Sequence, residues 1–220
     1  MRVAGRVIAL LAFAILLPLS PVLAQKKAPV KKATQQQEAE ERSGFWFRGN
    51  LGGGSALYSS DPLDVSGGAA MVSLSFGKFL NDDLVIYGDI HGSVISGPTL
   101  ETPGGASVDT DDDVTASVGG VGIGLGYYLI PNSLFLGGAV GIQTMRMEQE
   151  STSVEGETDP GFGASVILGK DWVISDKWTL GAAGHLLMGT MEDQGGGPTW
   201  TARAVGLSFT FSYASDAWRR

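Results

Sequence analysis

From Gly44 onward, apolar residues recur at every second position in eight successive segments. In the third segment, Leu84, Ile86 and Ile90 alternate with Tyr87 and Asp89. A period of two is typical of β-strands, because successive side chains of a strand point to opposite faces. The pattern therefore predicts an all-β protein whose main domain contains eight strands.

The connections between these segments alternate between short and long. Short connections carry the turn residues Asn81-Asp82-Asp83, Pro131-Asn132 and Ser175-Asp176-Lys177. The longer connections span residues 59–67, 97–113, 148–159 and 192–199. This arrangement predicts an eight-stranded antiparallel up-and-down barrel, with the short turns at one end and the long loops at the other. The alternation changes phase near Gly119-Gly120, where we predict a β-bulge.

Two segments precede the barrel, and a short one follows it. Residues 1–24 combine a basic start, an apolar run and a small-residue exit, which is typical of a cleaved signal peptide for export. Residues 25–43 are polar and free of aromatic side chains, which predicts a flexible linker. The barrel is expected over residues 44–213, and residues 214–220 form a short C-terminal tail.

Charge and cysteine content narrow the classes of partner. Once Arg2 and Arg6 are removed with the signal peptide, 13 basic and 23 acidic side chains remain, so the net charge is −10. This charge argues against a nucleic-acid partner, because phosphate binding relies on clustered Lys and Arg. The absence of cysteine excludes disulfides and thiolate metal sites. We predict neither a cofactor nor a bound metal.

Three features indicate that the apolar face of the barrel points outward, toward lipid. The opposite face carries mainly Gly, Ser, Ala and Thr, which suits a crowded interior. The long loops contain fourteen acidic residues and no Lys or Arg, as expected for loops above a membrane surface. Twelve aromatic residues near the short turns predict an interfacial girdle: Phe45, Trp46, Phe47, Phe79, Tyr127, Tyr128, Phe135, Trp172, Trp178, Phe209, Phe211 and Tyr213. A soluble barrel is the alternative.

The last segment, Gly206-Leu207-Ser208-Phe209-Thr210-Phe211, resembles the final strand of the small outer-membrane barrels of Gram-negative bacteria, the OmpA/OmpX/OmpW-like superfamily. The resemblance covers about residues 44 to 213. It implies insertion by the barrel assembly machinery, which would read Gly206, Phe209 and Phe211. It also implies outer-membrane lipid and lipopolysaccharide as surroundings, and we expect a monomer. The family usually ends at the aromatic residue, whereas this chain continues to Arg220.

Five polar residues fall on the small-residue face and form the main candidate site: Arg48, Asn50, Asp89, His91 and Gln143. An unpaired charge inside a barrel would be unfavourable, because the interior has a low dielectric constant. We therefore expect Arg48 and Asp89 to form an ion pair or to join a wider polar network. Such a network would either fill the interior or control a narrow conduit.

Asp89, His91 and Ser93 contain the three residue types of a hydrolase triad. His91-Gly92-Ser93 also resembles the His-x-Ser pair of some lipid A deacylases, which would make Ser93 the nucleophile and His91 its base. However, residues i and i+2 of a strand lie about 6.6 Å apart along its axis, whereas a nucleophile and its base must approach to about 3 Å. The spacing favours a polar strand face over a catalytic site.

The loop sequence Asp109-Thr110-Asp111-Asp112-Asp113 offers carboxylate oxygens, which suit Ca²⁺. The full ligand pattern of a calcium-binding loop, with its Gly and distal Glu, is absent. A solvated acidic loop is the simpler interpretation, and a divalent-cation loop at Asp109, Asp111, Asp112 and Asp113 is the alternative.

These observations predict a non-enzymatic outer-membrane barrel with a side-chain-filled interior and a structural or surface-interaction role. Two alternatives remain open at this point. One is a narrow conduit for small or hydrophobic solutes, as the OmpW-like branch implies. The other is a lipid-A-modifying enzyme, which would need His91 and Ser93 exposed to lipid.

Overall fold

The computed structural model of the protein describes residues 44–61, 63–102, 104–129, 133–151, 154–216 and 218. The predicted signal peptide, the predicted linker and the Pro131-Asn132 turn lie outside these residues. Within the described part of the chain, no helix is long and apolar enough to cross a membrane.

The described residues form eleven strands, of which eight are long. The long strands are β1 (Phe45–Ser60), β2 (Leu63–Phe79), β3 (Leu84–Ser96), β6 (Val114–Leu129), β7 (Leu134–Gln149), β9 (Gly161–Val173), β10 (Trp178–Glu192) and β11 (Thr199–Ala214). The short ones are β4 (Thr99–Glu101), β5 (Ser107–Asp109) and β8 (Val154–Glu157), which extend the long loops.

The eight long strands pair in the order β1-β11-β10-β9-β7-β6-β3-β2, and β2 pairs back to β1. Each pairing is antiparallel, so the sheet closes into an up-and-down barrel as predicted. Closure gives every strand two hydrogen-bonded neighbours and leaves no sheet edge, which is the condition for a sheet to stand in hydrocarbon.

The predicted bulge at Gly119-Gly120 is wrong. β6 pairs with β3 and with β7 in unbroken register through these residues, from Val118 to Val121. Val118 and Ala116 point into a part of the interior that becomes apolar toward the long loops. Glycine therefore no longer marks the inward face of the strand there. The change of pattern therefore reflects a change of interior composition within a regular strand.

The connection expected at 59–67 is also shorter than predicted. β1 continues to Ser60 and β2 begins at Leu63, so the two strands form a tight hairpin. The serines and Asp64 in this stretch are part of paired strands, although their composition resembles that of a loop. The 97–113 connection contains the β4–β5 hairpin, whose two strands pair with each other, and β4 also pairs with β2.

The inward side chains form three layers along the barrel axis. An apolar cluster near the short turns is built around Trp46, Tyr128 and Phe135. A second apolar cluster near the long loops is built around Tyr58 and Met71. Between them, buried polar residues project from β1, β2, β3, β7, β9, β10 and β11. We refer to these as the lower cluster, the upper cluster and the polar layer.

The outward face is apolar, as the alternation predicted. Leu51, Ile123, Leu207 and Phe209 are among its most exposed side chains, and Phe209 is 82% exposed. The aromatic girdle needs correction, because four of its twelve predicted members point inward and belong to the lower cluster: Trp46, Phe79, Tyr128 and Phe135. The parity of their strands places them inside, whereas Trp172, Trp178 and Phe211 remain on the outer surface.

Two described residues of the C-terminal tail, Asp216 and Trp218, lie beneath the barrel at the short-turn end. The backbone N–H of Trp218 donates to the carbonyl of Asp176 at 2.7 Å. Its ring packs edge-on against Tyr128 and Phe79, with centroids 5.1 and 6.1 Å apart, and is 8% exposed. The Asp216 carboxylate accepts a hydrogen bond from the Gly44 N–H at 2.9 Å, so the tail holds the start of β1 as well.

Candidate functional site

The candidate site is the polar layer, and its first part is centred on Arg48. The guanidinium of Arg48 donates to the carboxylate of Asp171 at 2.7 Å, to the hydroxyl of Ser212 at 3.2 Å and to the amide oxygen of Asn50 at 3.2 Å. Its central carbon lies 4.4 Å above the ring of Phe135. This combination of an ion pair, hydrogen bonds and a ring face compensates for burying a charge whose side chain is wholly inaccessible.

Two further contacts extend the Arg48 group. The amide of Asn50 donates to the hydroxyl of Ser73 at 2.7 Å, and the hydroxyl of Thr210 donates to the second oxygen of Asp171 at 3.0 Å. The group thus links β2, β1, β11 and β9 by side chains alone. These contacts supplement the backbone ladder, so they restrain the stagger of strands that are not neighbours.

The second part of the polar layer is centred on Asp89. Its carboxylate accepts a hydrogen bond from Ser75 at 2.7 Å and lies 2.8 Å from Nδ1 of His91. Ser165 approaches from across the interior, with its hydroxyl 3.5 Å from the same carboxylate. Asp89 therefore has partners on both of its oxygens, and the contact fixes the orientation of the His91 ring.

The structure brings Arg48 together with Asn50, and Asp89 with His91, but it does not pair Arg48 with Asp89. The partner of Arg48 is Asp171, which we did not predict. A signal was present, because the inward parity of β9 at Gly163, Ser165 and Gly169 continues to residue 171. Gln143 lies in the interior, and its amide joins neither hydrogen-bonded group within the described residues.

Among the described residues, no hydrogen bond joins His91 to Ser93. Both point inward and are buried, and His91 directs Nδ1 to Asp89. The hydroxyl of Ser93 lies 2.9 Å from the hydroxyl of Tyr58, so its polar partner lies on β1, toward the upper cluster. A nucleophile requires a base within hydrogen-bonding reach. The Ser93 hydroxyl lies instead against Tyr58, and Nε2 of His91 has no hydrogen-bond partner among the described residues.

The acidic stretch runs from Asp109, the last residue of β5, through Asp111, Asp112 and Asp113 to the start of β6. Asp109 accepts a hydrogen bond from Thr99 at 2.8 Å, across the β4–β5 hairpin. In the described part of the chain, no three His, Cys, Asp or Glu side chains converge on a common point. The divalent-cation interpretation of this loop stays a prediction.

The residues of the predicted assembly signal lie on β11. Phe209 and Phe211 point outward, and Gly206 points inward. A Cβ at Gly206 would approach the carbonyl of Gly53 to 2.5 Å and the sulfur of Met71 to 2.7 Å, so only glycine fits there. Beyond Phe211, the strand continues to Ala214, which pairs with Trp46.

A closed eight-stranded barrel with an apolar outer face is the architecture of a small outer-membrane protein. The family described as "Outer membrane protein beta-barrel domain" matches residues 31–212. The chain belongs to this family. It therefore resides in the outer membrane of a Gram-negative bacterium, and its outward apolar face contacts lipid.

Solved structures of outer-membrane barrels share this fold. Neisserial surface protein A is 14% identical, with a TM-score of 0.53 over 77% of this chain and 96% of its own. The outer membrane protein OprG from Pseudomonas aeruginosa is 12% identical, with a TM-score of 0.51 over 80% of this chain and 98% of its own. These identities support the fold alone. The sequence matches no curated protein.

Proposed function

We propose that this barrel is a closed, non-catalytic outer-membrane protein with a structural or surface-interaction role. One observation carries the proposal. The polar layer, which includes the wholly buried Arg48 and the buried Asp171, stands between two apolar clusters. A hydrated solute entering from either end would meet apolar side chains and then a charge that is already paired. Eight-stranded barrels are narrow enough for side chains to fill them in this way.

The two ends of the barrel suit different tasks. In this class, the short turns face the periplasm and the long loops face the exterior. Trp218 packs under the lower cluster and covers the periplasmic end. The long loops present carboxylates, and the surface-interaction role is assigned to them. Their negative charge favours contact with lipopolysaccharide phosphates through bridging divalent cations, because carboxylate oxygens are suitable ligands for Ca²⁺.

Conductance across a planar lipid bilayer tests the closed interior. We expect the refolded barrel to insert without steady, ohmic conductance, because side chains fill its cross-section. A known porin, inserted under identical conditions, provides the positive control for fusion and detection. Sustained conductance of porin magnitude in most insertions would refute the closed barrel.

A conduit for small apolar solutes is the second candidate, favoured by the composition of the upper cluster. Met71, Met145 and Met191 line the interior near the long loops, and methionine adapts its shape readily. Such a conduit requires an exit above the polar layer, because Arg48 and Asp171 would oppose the passage of an apolar solute. Uptake of an apolar fluorophore into vesicles that contain the protein would favour this candidate if protein-free vesicles stay dark.

An outer-membrane barrel must also be recognised by the machinery that inserts it into the membrane. We assign Gly206, Phe209 and Phe211 to recognition by the barrel assembly machinery, since the two rings stand on the outer face of the final strand. The chain departs from the family by continuing past this signal into the tail that carries Trp218.

A further inference from the structure

The outer face of the barrel carries two adjoining apolar grooves on the side formed by β2, β3, β6, β7 and β9. The first has a volume of about 490 Å³ and runs past Phe76, Lys78 and Gly88. The second has a volume of about 530 Å³ and runs past Gly138 and Val166. Ile86 and Ile123 border both, so the grooves form one depression, which starts near the short turns and follows the wall.

Two outward glycines create this depression. Gly88 stands between Phe76 and Ile123 in the sheet, and Gly138 stands between Leu125 and Val166. In each case a missing side chain is flanked by large ones. The depression is therefore a property of the sequence at these positions.

Neither glycine is required by contacts within the chain. A Cβ at Gly88 would meet no atom closer than 3.9 Å, and one at Gly138 none closer than 3.5 Å. Both distances are ordinary van der Waals contacts. Glycine within a strand is unfavourable by about 0.5–1 kcal/mol relative to alanine. At these two positions, close packing within the chain does not explain the cost of glycine. We infer that the two glycines are present because they leave space on the lipid side.

Lys78 lies at the short-turn end of the first groove. It is on the outward face of β2, opposite Phe45 and Ile86, and its side chain is exposed. Within the described residues, it forms no ion pair. A lysine at the edge of an apolar membrane face extends its ammonium to the headgroup level while its methylenes stay in the apolar layer.

We propose that this depression, with Lys78, is a binding site for a phospholipid of the periplasmic leaflet. One acyl chain lies along the groove past Gly88 and Gly138, and the lipid phosphate contacts the Lys78 ammonium. Charge complementarity selects this occupant, because the apolar groove ends at an unpaired cation near the short turns. Lipid A phosphates lie at the opposite surface of the membrane. The inference rests on the orientation of the barrel and not on whether its interior conducts.

Native mass spectrometry of the protein in a mild detergent tests the site, with palmitoyl-oleoyl phosphatidylglycerol as the titrated probe. The variant Gly88→Leu/Gly138→Leu fills the groove, and Lys78→Gln removes the charge. Gly184→Leu is the matched control, because Gly184 also faces outward and lies outside both grooves. A Cβ at Gly184 would come no closer than 3.9 Å to any atom, as at Gly88. Heat-modifiable gel mobility checks that every variant folds.

We expect the wild type and Gly184→Leu to retain one phosphatidylglycerol with equal affinity. Filling the groove should weaken retention at least about tenfold, because several methylenes lose their contacts. Lys78→Gln should weaken it about fivefold, the effect of one basic residue near an anionic surface. Equal retention by all four proteins would mean an adventitious lipid only and would overturn the site. Tighter retention of lipid A than of phosphatidylglycerol, or dimers that vanish when the groove is filled, would also overturn it. Bilayer conductance is independent of all these outcomes.

Discussion

The guanidinium of Arg48 and the carboxylate of Asp171 meet at 2.7 Å inside the barrel, from strands that are separated by two others. Neither side chain reaches solvent to any useful extent, since their exposed fractions are 0% and 2%. The backbone hydrogen bonds link only neighbouring strands, whereas this pair links β1 directly to β9 and so restrains the cross-section of the barrel. It also places two charges that compensate each other in the middle of the interior.

Removing one partner of this pair should lower the free energy of unfolding more than replacing both partners. Asp171→Asn leaves the Arg48 charge buried without its counter-ion, and we expect a loss of about 3 kcal/mol in the free energy of unfolding. Arg48→Met/Asp171→Leu replaces the pair by apolar side chains and should be less destabilised than the single variant. Urea unfolding in lipid vesicles measures both, and Lys177→Gln in an exposed turn is the control. A single variant as stable as the wild type would show that the pair contributes nothing.

The outline of the barrel was predictable because one face of every strand is buried and the other is not. Alternation then fixes which residues point inward, and Arg48, Asp89 and His91 follow from parity. The error at Gly119-Gly120 arose where the interior itself becomes apolar, so hydrophobicity no longer distinguishes the faces. Which inward residues meet depends on the stagger between strands, which a period of two does not encode. That is why the sequence suggested Asp89 as the partner of Arg48.

The tail was the least predictable element, because seven residues without periodicity carry no indication of where they pack. Trp218 nevertheless completes the lower cluster through Tyr128 and Phe79. Two aspartates at this end hold the tail in place. The backbone carbonyl of Asp176 accepts a hydrogen bond from Trp218, and the carboxylate of Asp216 accepts one from Gly44. The extension beyond Phe211 thus adds a cover to the short-turn end of the barrel.

Trp218→Ala tests this cover. We expect a loss of about 3 kcal/mol in stability, since a nearly buried indole leaves a cavity beside two aromatic rings. Trp178→Ala is the matched control, because Trp178 is 43% exposed on the outer surface near the same turn. Thermal unfolding followed by gel mobility should show a clearly lower transition for Trp218→Ala than for Trp178→Ala. Equal transitions would indicate that the tail is not part of the folded unit.

Adjacent glycines in β7 provide a stringent test of the inward and outward assignment. A Cβ at Gly137 would approach the Phe135 ring to 2.7 Å and the Tyr87 hydroxyl to 3.0 Å, whereas one at Gly138 meets nothing closer than 3.5 Å. Gly137→Ala should therefore destabilise the barrel by about 1–3 kcal/mol through overpacking. Gly138→Ala should be neutral or slightly stabilising, because it removes the backbone entropy of glycine. The opposite order of stabilities in urea would mean that the strand faces are reversed.

Ser93→Ala tests the absence of catalysis, and we expect it to leave the lipid A of the producing cells unchanged. The hydroxyl of Ser93 pairs with Tyr58 inside the barrel, so no lipid acyl ester can reach it without the wall opening. The measurement is mass spectrometry of lipid A from cells that produce the wild type, Ser93→Ala or neither. Tyr58→Phe serves as the structural control, because it removes the same hydrogen bond and leaves Ser93 in place. If the wild type alters lipid A acylation and Ser93→Ala abolishes the change while Tyr58→Phe does not, the barrel is an enzyme and the non-catalytic proposal is wrong.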